Sequence, residues 1–473
     1  MMDWASIIQI VYVLNFITVI ILVCFRKNNP VTTMAWVMLF MLLPLVGGLI
    51  YAIFGVGVIS YTMSRYRQKL EMNEKYIVNL QKEQVRDYVK SGTEYSDLIN
   101  YFLNRSAVYT DNNSVKIFTD AKDKYESLLA DIENAKESVN VLYFIIRNDV
   151  IGNRLLDLLE KKAKEGVQVR LMYDGLGSFL TPRKLFNRLR KTQNCEVAEF
   201  FPVRLFSATK INHRNHRKIV VIDDKIAYVG GMNIGDEYMG RSKNKNLPWR
   251  DTHLRIEGDA AKYIQGYFSL DWQFSTGKEV EIKTEKAQEQ PEKVGMQVVV
   301  SGPDSRGEEI KNGMLKMIYS AKRYVYLQSP YFVPDQAFLT AVQVAARSGV
   351  DVRVMIPGMP DKKYVYHTTM SYMDELLSSN VRVYLYPGFI HSKTITVDDR
   401  LLTVGTTNID IRSFSLLFEI NSFMYSRKKA TEHREIFEKD MEICHELTMA
   451  EYKKRGIGRV IKEGFFRLFS PIM

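Results

Sequence analysis

Apolar positions fall along this chain in three successive patterns. Residues 4–25, WASIIQIVYVLNFITVIILVCF, carry no charged side chain, and after Arg26 and Lys27 a second uncharged stretch occupies 28–64. Each run reaches the ~20 residues that a bilayer-crossing helix needs, which predicts a hairpin of two transmembrane helices over residues 1–64. Pro44, Gly47 and Gly48 loosen the second helix, as spanning helices tolerate. Trp4, Trp36, Tyr51 and Tyr61 stand toward the run ends, where interfacial anchors sit. A cleaved signal peptide is the weaker reading. Asp3 and no Lys or Arg precedes the first run, no small-residue cleavage site stands out, and a second run follows at once. Residues 65–114 are mixed and charged, with apolar residues at loose helical spacing, the pattern of a helical linker.

From about Val115 the period changes again. Residues 127–146, SLLADIENAKESVNVLYFII, predict a helix feeding a buried strand, followed by a helix in RLLDLLEKKAKEG and a strand in VQVRLMYDG. The same course returns as MLKMIYSAKRYVYLQSPYF, FLTAVQVAARSG and VDVRVMIPG. Ala135-Lys136 recurs at Ala321-Lys322, and Gly166-Val167-Gln168-Val169-Arg170 at Gly349-Val350-Asp351-Val352-Arg353. Strand–helix–strand order predicts an α/β fold of two similar lobes, each a β-sheet flanked by helices, over 115–274 and 296–450. The charged, Gln-rich stretch 275–295, interrupted by Pro291, is the joint between them. Two copies are too few for a solenoid; facing each other, they would set equivalent residues around one shared cleft.

The closest internal match is HRKIVVIDDKIAYVGGMN (216–233) with HSKTITVDDRLLTVGTTN (391–408). Each reads as a strand, a tight Asp-Asp-basic turn and a returning strand. His216 and Lys218, like His391 and Lys393, stand two apart, so strand alternation turns both toward one face. Asn233 and Asn408 come back to that rim. Asp223 and Asp398 fall at the opposite turn and read as turn or fold residues, although the repeated motif includes them. Lysine and asparagine donors can hold phosphate oxygens and stabilise the charge of a phosphoryl-transfer transition state. One imidazole can attack phosphorus while the other protonates the leaving alcohol. An oriented partner on the far ring nitrogen would set the two protonation states, and Asp251 and Glu419, which follow the two motifs, are the candidates.

Composition narrows the partners. The chain has a net charge of +11 with 46% hydrophobic and 25% charged residues, a globular balance that favours anionic partners, either nucleic acid or an acidic-lipid membrane. The lack of an aromatic ladder along a basic groove argues against nucleic acid. Cys24, Cys195 and Cys444 are too scattered for a disulfide framework. His213 lies three residues before His216, but no Cys or carboxylate cluster completes a ligand set, so neither metal nor cofactor is expected. Arg26 and Lys27 in the connecting loop, against Arg65, Arg67 and Lys69 after the second run, weakly favour a multi-pass cell-membrane protein with its lobes on the cytoplasmic side. The tail 451–473 mixes basic residues with Phe465, Phe466, Leu468 and Phe469, as an in-plane helix on anionic lipid would. Gly456, Gly458 and Gly464 weaken that helix, and a tail packed on the protein is the alternative.

The doubled pattern H-x-K-x4-D-x6-G-x-x-N resembles the signature of the phospholipase D superfamily over about residues 115–445. HRNHRKIVVIDDKIAYVGGMNIGDEY, PWRDTHLRIEG, QSPYFVPD and GTTNIDIRSF, behind two apolar runs, are similar to the bacterial cardiolipin synthases. The resemblance implies two phospholipase D-type lobes, a phosphatidyl-histidine intermediate, no obligatory metal, and transfer of the phosphatidyl group to a second phosphatidylglycerol with release of glycerol. It assigns His216 and His391 as nucleophile and acid/base, and Lys218, Lys393, Asn233 and Asn408 to the phosphate. The near-symmetric motifs leave open which histidine attacks, with His216 preferred. Many members carry Ser directly after the motif Gly. Here Gly231 and Thr406 stand there, and only Thr406 keeps a hydroxyl for the phosphate. The expected partners are phosphatidylglycerol and an anionic membrane. A phosphodiesterase acting on lipid or nucleic acid, another phosphatidyltransferase such as a phosphatidylserine synthase, and a non-catalytic lipid-binding scaffold are the competing readings.

Overall fold

A computed structural model of the chain describes residues 4–25, 30–54, 94–105, 107–202, 213–240, 249–282, 287–305 and 307–470. The charges used above to orient the hairpin (Arg26, Lys27, Arg65, Arg67 and Lys69) lie outside the described residues, as does Tyr61. The N-terminal unit is built from an uncharged 22-residue helix, Trp4–Phe25, and two shorter ones, Pro30–Leu42 and Pro44–Phe54. Leu22, Phe40 and Tyr51 form its small core, with Trp36 edge-on to Tyr51 at 5.1 Å. The second helix of the expected hairpin is thus two helices. Pro44 fits the first turn of a helix better than its interior, and its carbonyl accepts from Asn15 Nδ2 at 2.8 Å. Taken over the described side chains, no helix is long and apolar enough to cross a membrane.

The second unit holds two sheets of one topology. The first contains, in spatial order, Asn113–Phe118, His253–Gly258, Ile226–Gly230, Ile219–Ile222, Ser138–Tyr143, Gln168–Asp174 and Cys195–Phe200. The last three run parallel and are joined by helices Val150–Lys164 and Arg183–Arg190; the other pairings are antiparallel. The second sheet repeats this order with Gly295–Ser301, Glu419–Tyr425, Leu401–Gly405, Thr394–Val397, Tyr324–Gln328, Asp351–Pro357 and Arg382–Tyr386. It adds Tyr109–Thr110 at one edge and His445–Leu447 at the other. The central strands of both sheets are fully buried, as strands covered on both faces are; Ile219–Ile222 is wholly apolar, whereas the second sheet buries Thr394, Thr396 and Thr403 there.

One segment differs from the sequence expectation, and the tail takes the packed alternative. The described part of 65–114 is not a free linker. Helix Ser96–Leu103 carries Leu98, Ile99, Phe102 and Leu103 on one face, and all four enter the core of the second lobe. Phe102 meets Phe423 at 4.6 Å between ring centroids. Gly313 makes room for it, since a Cβ there would lie 2.2 Å from the Phe102 ring. The chain that enters the first lobe therefore crosses the second lobe first. The tail also docks: helices Met449–Lys453 and Ile457–Arg467 form despite its glycines, and the second packs on helix Lys363–Met370. Phe102→Ala should cost about 3–5 kcal/mol of second-lobe stability, measured by denaturant unfolding. A loss under about 0.5 kcal/mol, typical of a surface position, would return this helix to linker status.

Candidate active site

The motif aspartates set the hairpins that carry the site. Asp223 and Asp224 have φ of 52° and 55°, and Asp398 and Asp399 both 54°. This left-handed pair makes the primed turn that matches the twist of a two-residue hairpin, and Asp tolerates it. The Asp223 carboxylate accepts from the backbone N–H groups of Lys136, Glu137 and Ser138 at 2.9, 2.8 and 2.8 Å. Asp398 does the same for Lys322, Arg323 and Tyr324 at 2.7, 2.8 and 2.8 Å. Each thereby pins its hairpin to the start of the neighbouring parallel strand, at the end opposite the histidines.

At the other end the two lobes exchange backbone. His216 N donates to Phe418 O at 2.9 Å, and Phe418 N donates to Arg214 O at 2.9 Å. In the mirror position Phe389–Ile390 pairs in parallel with Trp249–Arg250, and His391 N donates to Arg250 O at 2.7 Å. The residue after each of these contacts is an acid. His216 Nδ1 therefore meets Glu419 Oε1 at 2.9 Å, and His391 Nδ1 meets Asp251 Oδ2 at 2.7 Å. The pairing is crossed: each histidine is braced by a carboxylate of the other lobe. Sequence reasoning picked both acids but could not assign them, because the crossing is a property of the interface. With Nδ1 engaged, Nε2 is the working nitrogen of each ring.

All of these groups are buried. Lys218 Nζ donates to His216 O at 2.6 Å, and Lys393 folds back in the same way onto His391 O. Burial, then the nearby lysines, pushes both imidazoles well below the ordinary histidine value. Burial also lowers Lys218 to about 7 and Lys393 to about 8, and raises Asp251 to about 7 and Glu419 to about 8 against the pull of the lysines. The cleft is an electrostatically frustrated place that an entering anion would relieve.

Other candidates are distributed unevenly. Asn233 Nδ2 donates to the Tyr238 hydroxyl at 2.7 Å and its Oδ1 accepts from Ile145 N at 3.2 Å, so it is committed to the loop around it. Asn408 is buried, and its Oδ1 has no hydrogen-bond partner among the described residues. The Thr406 hydroxyl is not held open for a phosphate: it donates to Glu419 Oε2 and accepts from Ile420 N at 2.9 Å. Gly231, its counterpart, cannot be a larger residue in this geometry, since a Cβ would stand 2.1 Å from Asp251 Oδ1. The asymmetry at the serine position of the motif is thus an asymmetry in how the two bracing acids are held. His213 is drawn away from His216 onto Leu416 O at 3.2 Å, and among the described residues no group of three potential metal ligands forms.

Several residues that the motif does not announce also face the histidines. Tyr238, Trp249 and Phe389 surround His391 at 5.8, 5.7 and 5.8 Å, while Phe144 stands edge-on to His216 at 5.0 Å. Phe389 is itself buried, while Phe332 and Val333 belong to the core of the second lobe. Phe200 and Phe201 pack on Phe418 at 5.3 and 6.1 Å. The charge of Lys362 bears on both histidines and that of Arg412 on His216. A single charge at such positions has no spacing signal.

Two imidazoles, each oriented by a buried acid and flanked by a lysine, are a set of groups chemically able to carry out phosphodiester transfer. The family described as "Cardiolipin synthase, PLD-like domain" matches residues 128–272 and 314–441, and "Phospholipase_D-nuclease N-terminal" matches 13–55. The chain belongs to the cardiolipin synthase family of the phospholipase D superfamily. It is 40% identical over 470 residues to a cardiolipin synthase of Oceanobacillus iheyensis, covering 98% of both chains. It is 39% identical over 480 residues to the major cardiolipin synthase ClsA of Bacillus subtilis, again covering 98% of each. Among solved structures, the phosphatidylserine synthase of Haemophilus influenzae shares the fold, with a TM-score of 0.56 at 13% identity over 76% of this chain and 95% of that one.

If Thr406 positions Glu419, Thr406→Val should lower kcat about tenfold and leave KM within about twofold, the usual scale for removing an outer hydrogen bond. A rise in KM with kcat unchanged would instead put the hydroxyl on the substrate.

Proposed function

We propose that the chain makes cardiolipin from two phosphatidylglycerol molecules and releases glycerol, by double displacement through a phosphatidyl-histidine. The crossed bracing of His216 and His391 carries this reading: one cleft holds two oriented imidazoles, one for each role that a double displacement needs. Full-length similarity to proteins named cardiolipin synthase supports phosphatidylglycerol as donor and acceptor.

In the first step His216 Nε2 attacks the phosphorus of one phosphatidylglycerol. Its P–O bond to the terminal glycerol breaks, and His391, which takes up a proton when the anionic substrate offsets the charge of the nearby lysines, delivers that proton to the departing alkoxide. Glu419 holds the His216 ring and stabilises the positive charge that develops on it. In the second step His391, now neutral, takes the proton from the glycerol hydroxyl of another phosphatidylglycerol. That oxygen attacks the phosphorus, and His216 leaves. Lys218 and Lys393 turn from the histidine carbonyls to the non-bridging oxygens, joined by the Asn408 side-chain N–H once it is released from Asp410; Asn233 holds the loop that carries Tyr238. The aromatic wall of Tyr238, Trp249 and Phe389 keeps water from the intermediate, which separates transfer from hydrolysis. The uncharged N-terminal helices hold the lobes at the cell membrane, where both substrates lie, with the lobes on the cytoplasmic side.

Detergent-purified protein given labelled phosphatidylglycerol alone should yield cardiolipin and glycerol in equal amounts. His216→Ala and His391→Ala should each cost several orders of magnitude in kcat, as in sites where nucleophile and base act as a unit. Phosphatidic acid without cardiolipin would make the protein a hydrolase, and unimpaired turnover in either variant would refute the mechanism.

The lysines add a pH signature. Lys218 and Lys393 titrate at about 7 and about 8 in the empty site, so raising the pH through that range removes the charge that attracts the substrate. kcat/KM should therefore fall from pH 7 to 9. kcat should fall less, because a bound phosphate holds the protons on. A kcat/KM that stays flat to pH 10 would contradict cationic lysines in substrate capture.

A further inference from the structure

The tail helix Ile457–Arg467 is amphipathic in a way that the fold does not use. Its inner face is fully engaged. Phe466 stacks on His367 at 5.8 Å, Glu463 is 2% exposed and binds Arg455 and Arg459 at 3.0 and 2.9 Å, and Arg467 reaches Ser371 O at 3.0 Å and also binds Glu375. Its outer face carries Ile457, Ile461, Phe465 and Leu468 as one stripe, exposed by 76, 65, 56 and 76%. Apolar side chains on successive turns of one face do not arise from a need for solubility. Lys453, Lys454 and Lys462 are exposed beside them, whereas of the two acids of the segment Glu463 is buried under its arginines and Glu451 pairs with His445 at 2.7 Å.

This stripe is coupled to the cleft. Helix Lys363–Met370, on which the tail packs, begins at Lys362, whose charge acts on both catalytic histidines. His367, which stacks on Phe466, is little more than one turn further along. The other lobe has a matching feature. The loop after strand Gln168–Asp174 exposes Leu176, Phe179 and Leu180, and Asp174 accepts at 3.1 Å from the backbone N–H of Asn215, the neighbour of His216.

We infer that the outer face of the tail helix is a second, in-plane contact with an anionic bilayer, and that it seats the cleft mouth, together with the loop at 176–180, on the lipid surface. The partner follows from the chemistry: apolar residues on one face and lysines at its border fit acyl chains below a layer of negative headgroups. The tail thereby becomes part of substrate entry, presenting lipid to the cleft from the side instead of through water. The inference relies on the proposed activity only for the identity of the lipid.

The test uses the full chain with Cys24 and Cys444 replaced by Ser and an environment-sensitive dye on Ile461→Cys. A second preparation carries the dye on Lys164→Cys, an exposed site of the first lobe. Both are reconstituted in liposomes of phosphatidylglycerol with phosphatidylcholine, and of phosphatidylcholine alone. At position 461 the dye should shift to the blue and be quenched by spin-labelled acyl chains, more strongly when phosphatidylglycerol is present, while at position 164 it stays in water. Equal quenching of both positions by aqueous iodide would overturn the inference. So would dye–dye contact between chains at position 461, which would make the stripe a contact between copies. These readouts require no turnover, so they stand apart from the proposed reaction. In parallel, Ile461→Asp with Phe465→Asp should lower turnover in liposomes at least tenfold and change it less than about twofold in detergent micelles. Equal loss in both media would point to a structural role and count against the inference.

Discussion

Everything at the catalytic centre depends on a hydrogen bond made across the lobe interface, between an imidazole of one lobe and a carboxylate of the other. The backbone contacts His216–Phe418 and His391–Arg250 bring the chains together, and the next residue in each case supplies the acid. A carboxylate with no partner in that depth would be costly. The interface and the site therefore stabilise each other, because the cleft is assembled correctly only when the lobes close in register. Thr406 and Gly231 follow from this constraint. One supplies a hydroxyl to Glu419; the other vacates the space that Asp251 fills.

The electrostatics have the same origin. Closing the interface removes both histidines, both lysines and both acids from water, and burial is the leading cause of every shift there. Each group is displaced toward its neutral form. Such a site has its two acid-braced imidazoles fixed in place before an anion arrives, with no water to reorganise around them. Lysines drawn back onto the histidine carbonyls provide donors that can be redirected at small cost when a phosphate oxygen competes for them.

Much of this was legible in the residues. The doubled His-x-Lys, the primed Asp-Asp turns and the strand–helix–strand repeat are local signals, and local signals survive in a sequence. The reading of Asp223 and Asp398 as turn residues used the same kind of information. The crossing of Asp251 and Glu419 was not legible, because it belongs to a contact between segments about 140 and 203 residues apart. Phe102 was missed for a related reason. Its helix has ordinary amphipathic spacing, and nothing in the spacing says that the surface receiving it lies in the far lobe. Thr406 was assigned to the phosphate by analogy with a serine, and only the position of Glu419 shows where its hydroxyl goes. Lys362 caps one helix and Arg412 lies in another, and a cation in either place means nothing until its neighbours are known.

The exchange of acids also bears on how such a chain could come to be. A lobe alone would own a histidine without its brace and a brace without its histidine, so half of this protein would be inert except beside a copy of itself. Once both halves share a chain, the copies are released from identity. Asp can face Glu, Gly can face Thr, and a ring of three aromatics can gather at one histidine while a single phenylalanine serves the other. The fusion of two equal parts is thus what permits them to become unequal, and a reaction whose two steps ask different things of the same kind of residue has use for that freedom.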